Sequence, residues 1–146
     1  MITKTGTYKK AKVIEATGLS SDNDKEIWER TLKYSGFGSM GSITDNICYA
    51  VDEVIELDLD DITETQRSSV VNVARSYDDK QYYGTGTFNS KEKKSNTDYF
   101  YCSKLVWRAY KNGADTDVDH DDGFYVTPGD IENDWDIGRV KRFIVN

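Results

Sequence analysis

This chain is poor in the residues that build most catalytic sites and cross-linked scaffolds. It holds one histidine (His120), one proline (Pro128) and two cysteines (Cys48 and Cys102). Two cysteines cannot make a disulfide framework, and nothing local supports even one bridge. With a single histidine they cannot complete a zinc site either. No apolar run approaches the roughly 20 residues of a membrane span. The first residues lack the apolar core of a signal peptide, so a soluble protein is expected. Positive charge is in deficit, with 19 Lys+Arg against 26 Asp+Glu and a formal net charge of −7. A nucleic acid or an anionic membrane would repel such a surface, so neither is an expected partner. Only Lys91-Glu92-Lys93-Lys94 is locally basic, and it reads as a solvated loop.

What is present suits a globular domain. The 146 residues are 37% hydrophobic and 31% charged, with 10 Tyr, 5 Phe and 3 Trp. One domain over 1–146 is the simplest organisation, since domains typically run to about 100–150 residues. Residues 2–8 and 12–16 read as two strands that would pair as a hairpin. Asp24 can cap a helix over 25–34, with Ile27, Trp28, Thr31 and Leu32 on one side. Residues 35–41 carry three glycines and read as loop. In Ile55-Glu56-Leu57-Asp58-Leu59-Asp60 apolar and acidic residues alternate, which predicts a strand with one wet face. Thr63-Glu64-Thr65-Gln66 fits a capping box, and the helix after it puts Val70, Val73, Ala74 and Tyr77 on one face. Residues 78–98 form a long polar loop, a length that suits substrate binding or mobility. A last strand is predicted over 139–145. Strands and helices segregate rather than alternate, which predicts an α+β fold.

The most informative stretch is Tyr99-Phe100-Tyr101-Cys102-Ser103-Lys104-Leu105-Val106-Trp107-Arg108-Ala109-Tyr110. Aromatics deliver a cysteine to the first turn of a helix whose less polar positions are 102, 105, 106, 109 and 110, and Asn112-Gly113 supplies a stop. A thiol at a helix N-terminus meets the positive end of the helix dipole and free backbone N–H groups, which favour the nucleophilic thiolate. The plainer alternative, Cys102 as a small residue on the buried face, stays open at this level.

These parts occur in a telling order: Val13-Ile14-Glu15-Ala16, then the capped helix ending Ala74-Arg75-Ser76-Tyr77, then Lys80-Gln81-Tyr82, the cysteine helix, and Val126-Thr127-Pro128-Gly129-Asp130-Ile131. This resembles the circularly permuted papain-like hydrolases of the NlpC superfamily, the YiiX/YycO-type branch. The resemblance runs from Thr5 to about Ile131. It implies a papain-like α+β domain with a small antiparallel sheet packed against helices. It also implies a bacterial cysteine amidase or peptidase acting on a cell-wall peptide or related small peptide, without cofactor or metal. The compartment stays open between cytoplasm and cell envelope. Cys102 matches the nucleophile, and Glu15 matches the carboxylate that orients the base. Tyr101 and Ser103, either side of the cysteine, are the implied substrate contacts. The family's general base is a histidine in a strand before that carboxylate, and here Lys4 stands in its place. The chain also starts almost at that position, where the family carries a further N-terminal strand.

The departure matters chemically. Amide cleavage needs a thiolate and then a proton donor for the leaving amine, and an imidazole serves both near neutral pH. An ammonium holds its proton unless desolvation lowers its pKa by several units. A catalytically silent binding module of the same fold is therefore the alternative. His120 is the one replacement base on offer, although an exposed loop histidine is the simpler account of it.

Other features carry weaker signals. Asp117, Asp119 and Asp121 have the alternation of an EF-hand's first ligands. Asp122 then stands where that motif needs glycine and Pro128 where it needs glutamate, so the EF-hand fails; a solvated acidic loop is favoured over a calcium site of another kind. Trp28, Trp107 and Trp135 suit the core better than a sugar or peptide groove.

Overall fold

The computed structural model describes residues 11–16, 27–34, 39–42, 48–50 and 53–144. The chain is of mixed α+β class. Strands β1 (Ala11–Ala16), β2 (Ile27–Tyr34), β3 (Ser39–Ser42) and β4 (Cys48–Ala50) form an antiparallel sheet in that order. Strand β5 (Glu53–Leu59) leads into helix α1 (Glu64–Arg75); β6 (Gln81–Tyr82), β7 (Tyr99–Phe100), α2 (Cys102–Ala114), α3 (Pro128–Asn133) and β8 (Ile137–Ile144) follow. β5 pairs antiparallel with β8, with a register shift between Glu56 and Leu57, and the short β6 pairs parallel with β7. Among the described residues no helix is long and apolar enough to cross a membrane.

The segment expected to be a helix over 25–34 is strand β2. It pairs residue for residue with β1, from Ala16 opposite Ile27 to Ala11 opposite Leu32. Ile27, Trp28, Thr31 and Tyr34 are β-branched or aromatic, types that fit a pleated surface better than a helix. The pairing overrides an apolar spacing that both periods can accommodate. Part of the expected 35–41 loop is likewise strand β3. The proposed partner of β1, residues 2–8, lies outside the described residues, as does Lys4.

Helix α1 starts as its sequence demands. The Thr63 hydroxyl accepts from Gln66 N at 3.2 Å, and Gln66 Oε1 accepts from Thr63 N at 3.0 Å. Its buried positions are Val70 and Ala74. α3 has the same device, which the sequence offered unread: Pro128 at the first position, with Asp130 accepting from Thr127 N at 2.7 Å.

Helix α2 lies between two apolar clusters. Leu105 and Ala109 join Phe100, Val70, Ala74, Ile14, Ala16 and Ile27 in one; Trp107 joins Leu59, Val118, Val126 and Ile131 in the other. Burial therefore extends around α2 beyond the single predicted face, and Trp107 belongs to the core, not to a groove. Its Nε1 donates to Asp117 Oδ1 at 2.7 Å. Gly113 does not stop the helix; Asp115 does, in the left-handed conformation at φ 55°. A side chain at Gly113 would put its Cβ 2.5 Å from Val70 Cα. The residue read as punctuation is the close crossing point of α1 and α2.

Candidate active site

Cys102 is the first residue of α2, and it is exposed. The buried-thiol alternative is thereby set aside. The residue opens on a cleft of about 220 Å³ with three walls. Tyr82, Gly84, Gly86, Phe88 and Glu92 form one; Tyr101, Cys102 and Ser103 form the second; Val126, Thr127 and Pro128 form the third. A hollow of similar volume, about 230 Å³, lies between the β1–β2 pair and α1, and none of the described residues lining it is a cysteine or serine.

The neighbours of Cys102 explain why it alone faces outward. Ser103 Oγ donates to Val126 O at 2.8 Å, and Val126 N donates to Tyr101 Oη at 3.1 Å. The two side chains flanking the cysteine thus hold one residue of the third wall, itself buried at 1% exposure. Both predicted substrate contacts line the cleft, with their hydroxyls already engaged. Burial pushes the Tyr101 hydroxyl above the ordinary tyrosine value, Val126 N–H opposes this, and the Glu92 charge adds to it. Tyr101 precedes α2 in extended conformation and supplies no side-chain cap. The opening amides of a helix have no intrahelical acceptor, and here no side chain among the described residues takes them, whereas α1 and α3 have capping boxes.

The first wall depends on Glu92, a residue expected in a solvated loop. Glu92 is 3% exposed. Its carboxylate accepts from Thr85 N at 2.7 Å, Gly86 N at 2.9 Å and Asn89 N at 3.0 Å. Burial pushes its pKa up, but these donors and the Thr85 hydroxyl outweigh burial and leave it below the ordinary glutamate value. Gly86 sits at φ +68°, a backbone that glycine adopts without strain. The available signal was an acid a few residues after Gly84-Thr85-Gly86-Thr87, and that pattern is too common to read alone. Lys91 is no loose cation either: Nζ lies 4.7 Å from the centroids of both Tyr83 and Tyr99.

Of the remaining candidates, His120 lies apart from this cleft. Glu15 lies in β1 opposite Trp28; its side chain is outside the description. Its neighbours Ile14 and Ala16 share the apolar cluster of Leu105 and Ala109. His120 is exposed, its ring 5.5 Å from that of Trp135, and it is not among the residues lining the cleft. Trp135 is 85% exposed. Lys104 is fully buried, its Nζ donating to Tyr99 O at 2.8 Å; burial first, and then the Arg108 charge, lower it from 10.5 to about 8. Asp117 accepts from Trp107 and also from Lys111 Nζ at 2.9 Å, which takes it out of the expected aspartate alternation.

No family model matches the chain, and neither a curated protein nor a solved structure matches it. The chemistry of the site must carry the functional reading.

Proposed function

We propose that this chain is a permuted papain-like cysteine hydrolase domain of the NlpC kind, cleaving an amide bond in a bacterial cell-wall peptide or a related small peptide. One observation carries the proposal: an exposed thiol at the head of an uncapped helix, opening on a cleft walled by aromatic and glycine-rich segments. In this reading Cys102 Sγ attacks the carbonyl carbon as the thiolate, and the opening amides of α2 receive the developing oxyanion. The C–N bond breaks as the amine leaves with a proton from water, and a second water hydrolyses the thioester to free the thiolate. Tyr82, Phe88 and Tyr101 offer apolar surface to the substrate. Glu15 orients a base or binds a substrate amine.

The test is alkylation by a fluorescent iodoacetamide near neutral pH, in a Cys48→Ser background so that one thiol remains. Cys102 should label faster than free cysteine, and Cys102→Ser should label not at all. A rate no faster than that of free cysteine would remove the nucleophile and the proposal with it.

A second reading is favoured by a specific observation. Among the described residues lining the cleft, Glu92 is the only acid and no imidazole is present; its carboxylate is held by four donors. A catalytically silent module that keeps the cleft for binding fits that lining. Lys4→His separates the two. Hydrolysis of a cell-wall peptide amide that appears only in this variant favours the silent module; hydrolysis already present in the parent chain favours the enzyme.

A further inference from the structure

We propose that the turn after α2 and the head of α3 together bind a divalent cation of the calcium type through Asp119, Asp121 and Asp130. One carboxylate oxygen from each lies within 4.8 Å of the other two. Three acids at a surface often gather without an ion. Asp119 makes this group different: the residue is 6% exposed, and among the described residues only one of its two carboxylate oxygens is contacted by a donor. Lys94 Nζ contacts Oδ2 as an ion pair, while Oδ1 has no partner among the described residues. A buried carboxylate oxygen left bare is costly and rare in folded proteins. A bound cation removes that cost.

The other two carboxylates are held ready. Asp130 Oδ2 accepts from Thr127 N and Oγ1, both at 2.7 Å, which leaves Oδ1 for a ligand. Asp121 Oδ1 accepts from Gly123 N at 2.9 Å, which leaves Oδ2. One oxygen oriented by the protein and one left over is how metal-ligating carboxylates are commonly supported. Burial holds the Asp119 carboxyl above the ordinary aspartate value; Lys94 opposes this, and Asp121 and Asp130 reinforce it. Lys94 also pairs with Asp122 at 3.4 Å, so its single charge is shared between two carboxylates. The donor set is all hard oxygen, without imidazole or thiolate, which selects calcium over zinc or copper. Three carboxylates with water completing the shell suit a site of modest affinity.

The site differs from the EF-hand alternation in its members. Asp117 is engaged elsewhere and Asp130, from the next element, takes its place. Thr127 and Pro128 of the same helix start form the third wall of the Cys102 cleft. The cation would fasten that wall to the 119–123 turn, whether or not the cleft is catalytic.

Calorimetric titration of the full chain with calcium chloride, paired with thermal unfolding, tests the site. One calcium should bind per chain, and at a tenfold excess over Kd the Tm should rise by about 3–6 °C. Asp121→Asn, at an exposed position, should leave the calcium-free Tm unchanged and weaken binding by roughly tenfold or more. Three results would overturn the site: no heat and no Tm rise at millimolar calcium, an equal rise in potassium chloride of the same ionic strength, or undiminished binding in Asp121→Asn.

Discussion

Two residues show how far a single position can depart from its local meaning. Gly113 looks like a helix terminator and serves as a helix crossing. Gly113→Ala would gain about 1 kcal/mol if only helix propensity counted. With Cβ 2.5 Å from Val70 Cα, the helices must part, and overpacking of this kind costs about 1–3 kcal/mol. A shift of the urea midpoint to lower concentration is expected; a shift upward would contradict the close crossing. Glu92 looks like part of a basic surface loop and holds the cleft wall together. Glu92→Gln removes the charge that several backbone donors converge on, for a loss of about 1.5–3 kcal/mol by the same measurement. The sign with pH follows from a folded value below the unfolded one. The Glu92 contribution is complete above the ordinary carboxylate range, near pH 4–5, and disappears as pH falls through the lower folded value. Glu92→Gln should therefore flatten the acid limb of the stability profile.

At the scale of elements, the helix starts were the most legible features, because a cap is a local bargain between neighbours. Thr63-x-x-Gln66 and Thr127-x-x-Asp130 each carry their signature within four residues. Thr63→Ala and Thr127→Ala should each cost about 1 kcal/mol in chemical unfolding. Thr127→Ala should in addition change the labelling rate of Cys102, since residue 127 lines the cleft and residue 63 does not. Equal labelling in both variants would separate the third wall from the thiol. The apolar spacing of β2 suits either period over so short a length; its partner β1 decides the matter through backbone pairing that no local pattern specifies.

For the whole molecule, the alkaline limb of stability isolates one buried group. Lys104 is lowered from 10.5 to about 8, so between those values the unfolded chain binds more protons than the folded one. Stability should rise from about pH 8 toward pH 10. The neutral-pH penalty is about 3 kcal/mol, of which the bond to Tyr99 O returns roughly one. Lys104→Met should be more stable than the parent by about 1–2 kcal/mol at pH 7, with no rise between pH 8 and 10. Above pH 10 both proteins should weaken: burial holds Tyr101 and Tyr110 above the ordinary tyrosine value, and their ionisation opposes folding. Guanidinium unfolding at unit pH steps measures all three; a parent profile flat from pH 8 to 10 would contradict a protonated, buried Lys104.

The amino-acid order alone determined the α+β class, the position of Cys102 at a helix start and the capped helix before it. These follow from periodicity, capping chemistry and the alternation of strand 53–59, all readable within a few residues. Tertiary structure decided what those residues face. Exposure of the thiol arises because Tyr101 and Ser103 are drawn to Val126, more than 20 positions on, leaving the residue between them uncommitted. Burial of Glu92, the strand state of 27–34 and the gathering of Asp119 with Asp130 likewise depend on partners distant in the chain. Each was fixed by hydrogen bonds or packing that close only when the elements dock, and residue type carries no record of a partner so far away.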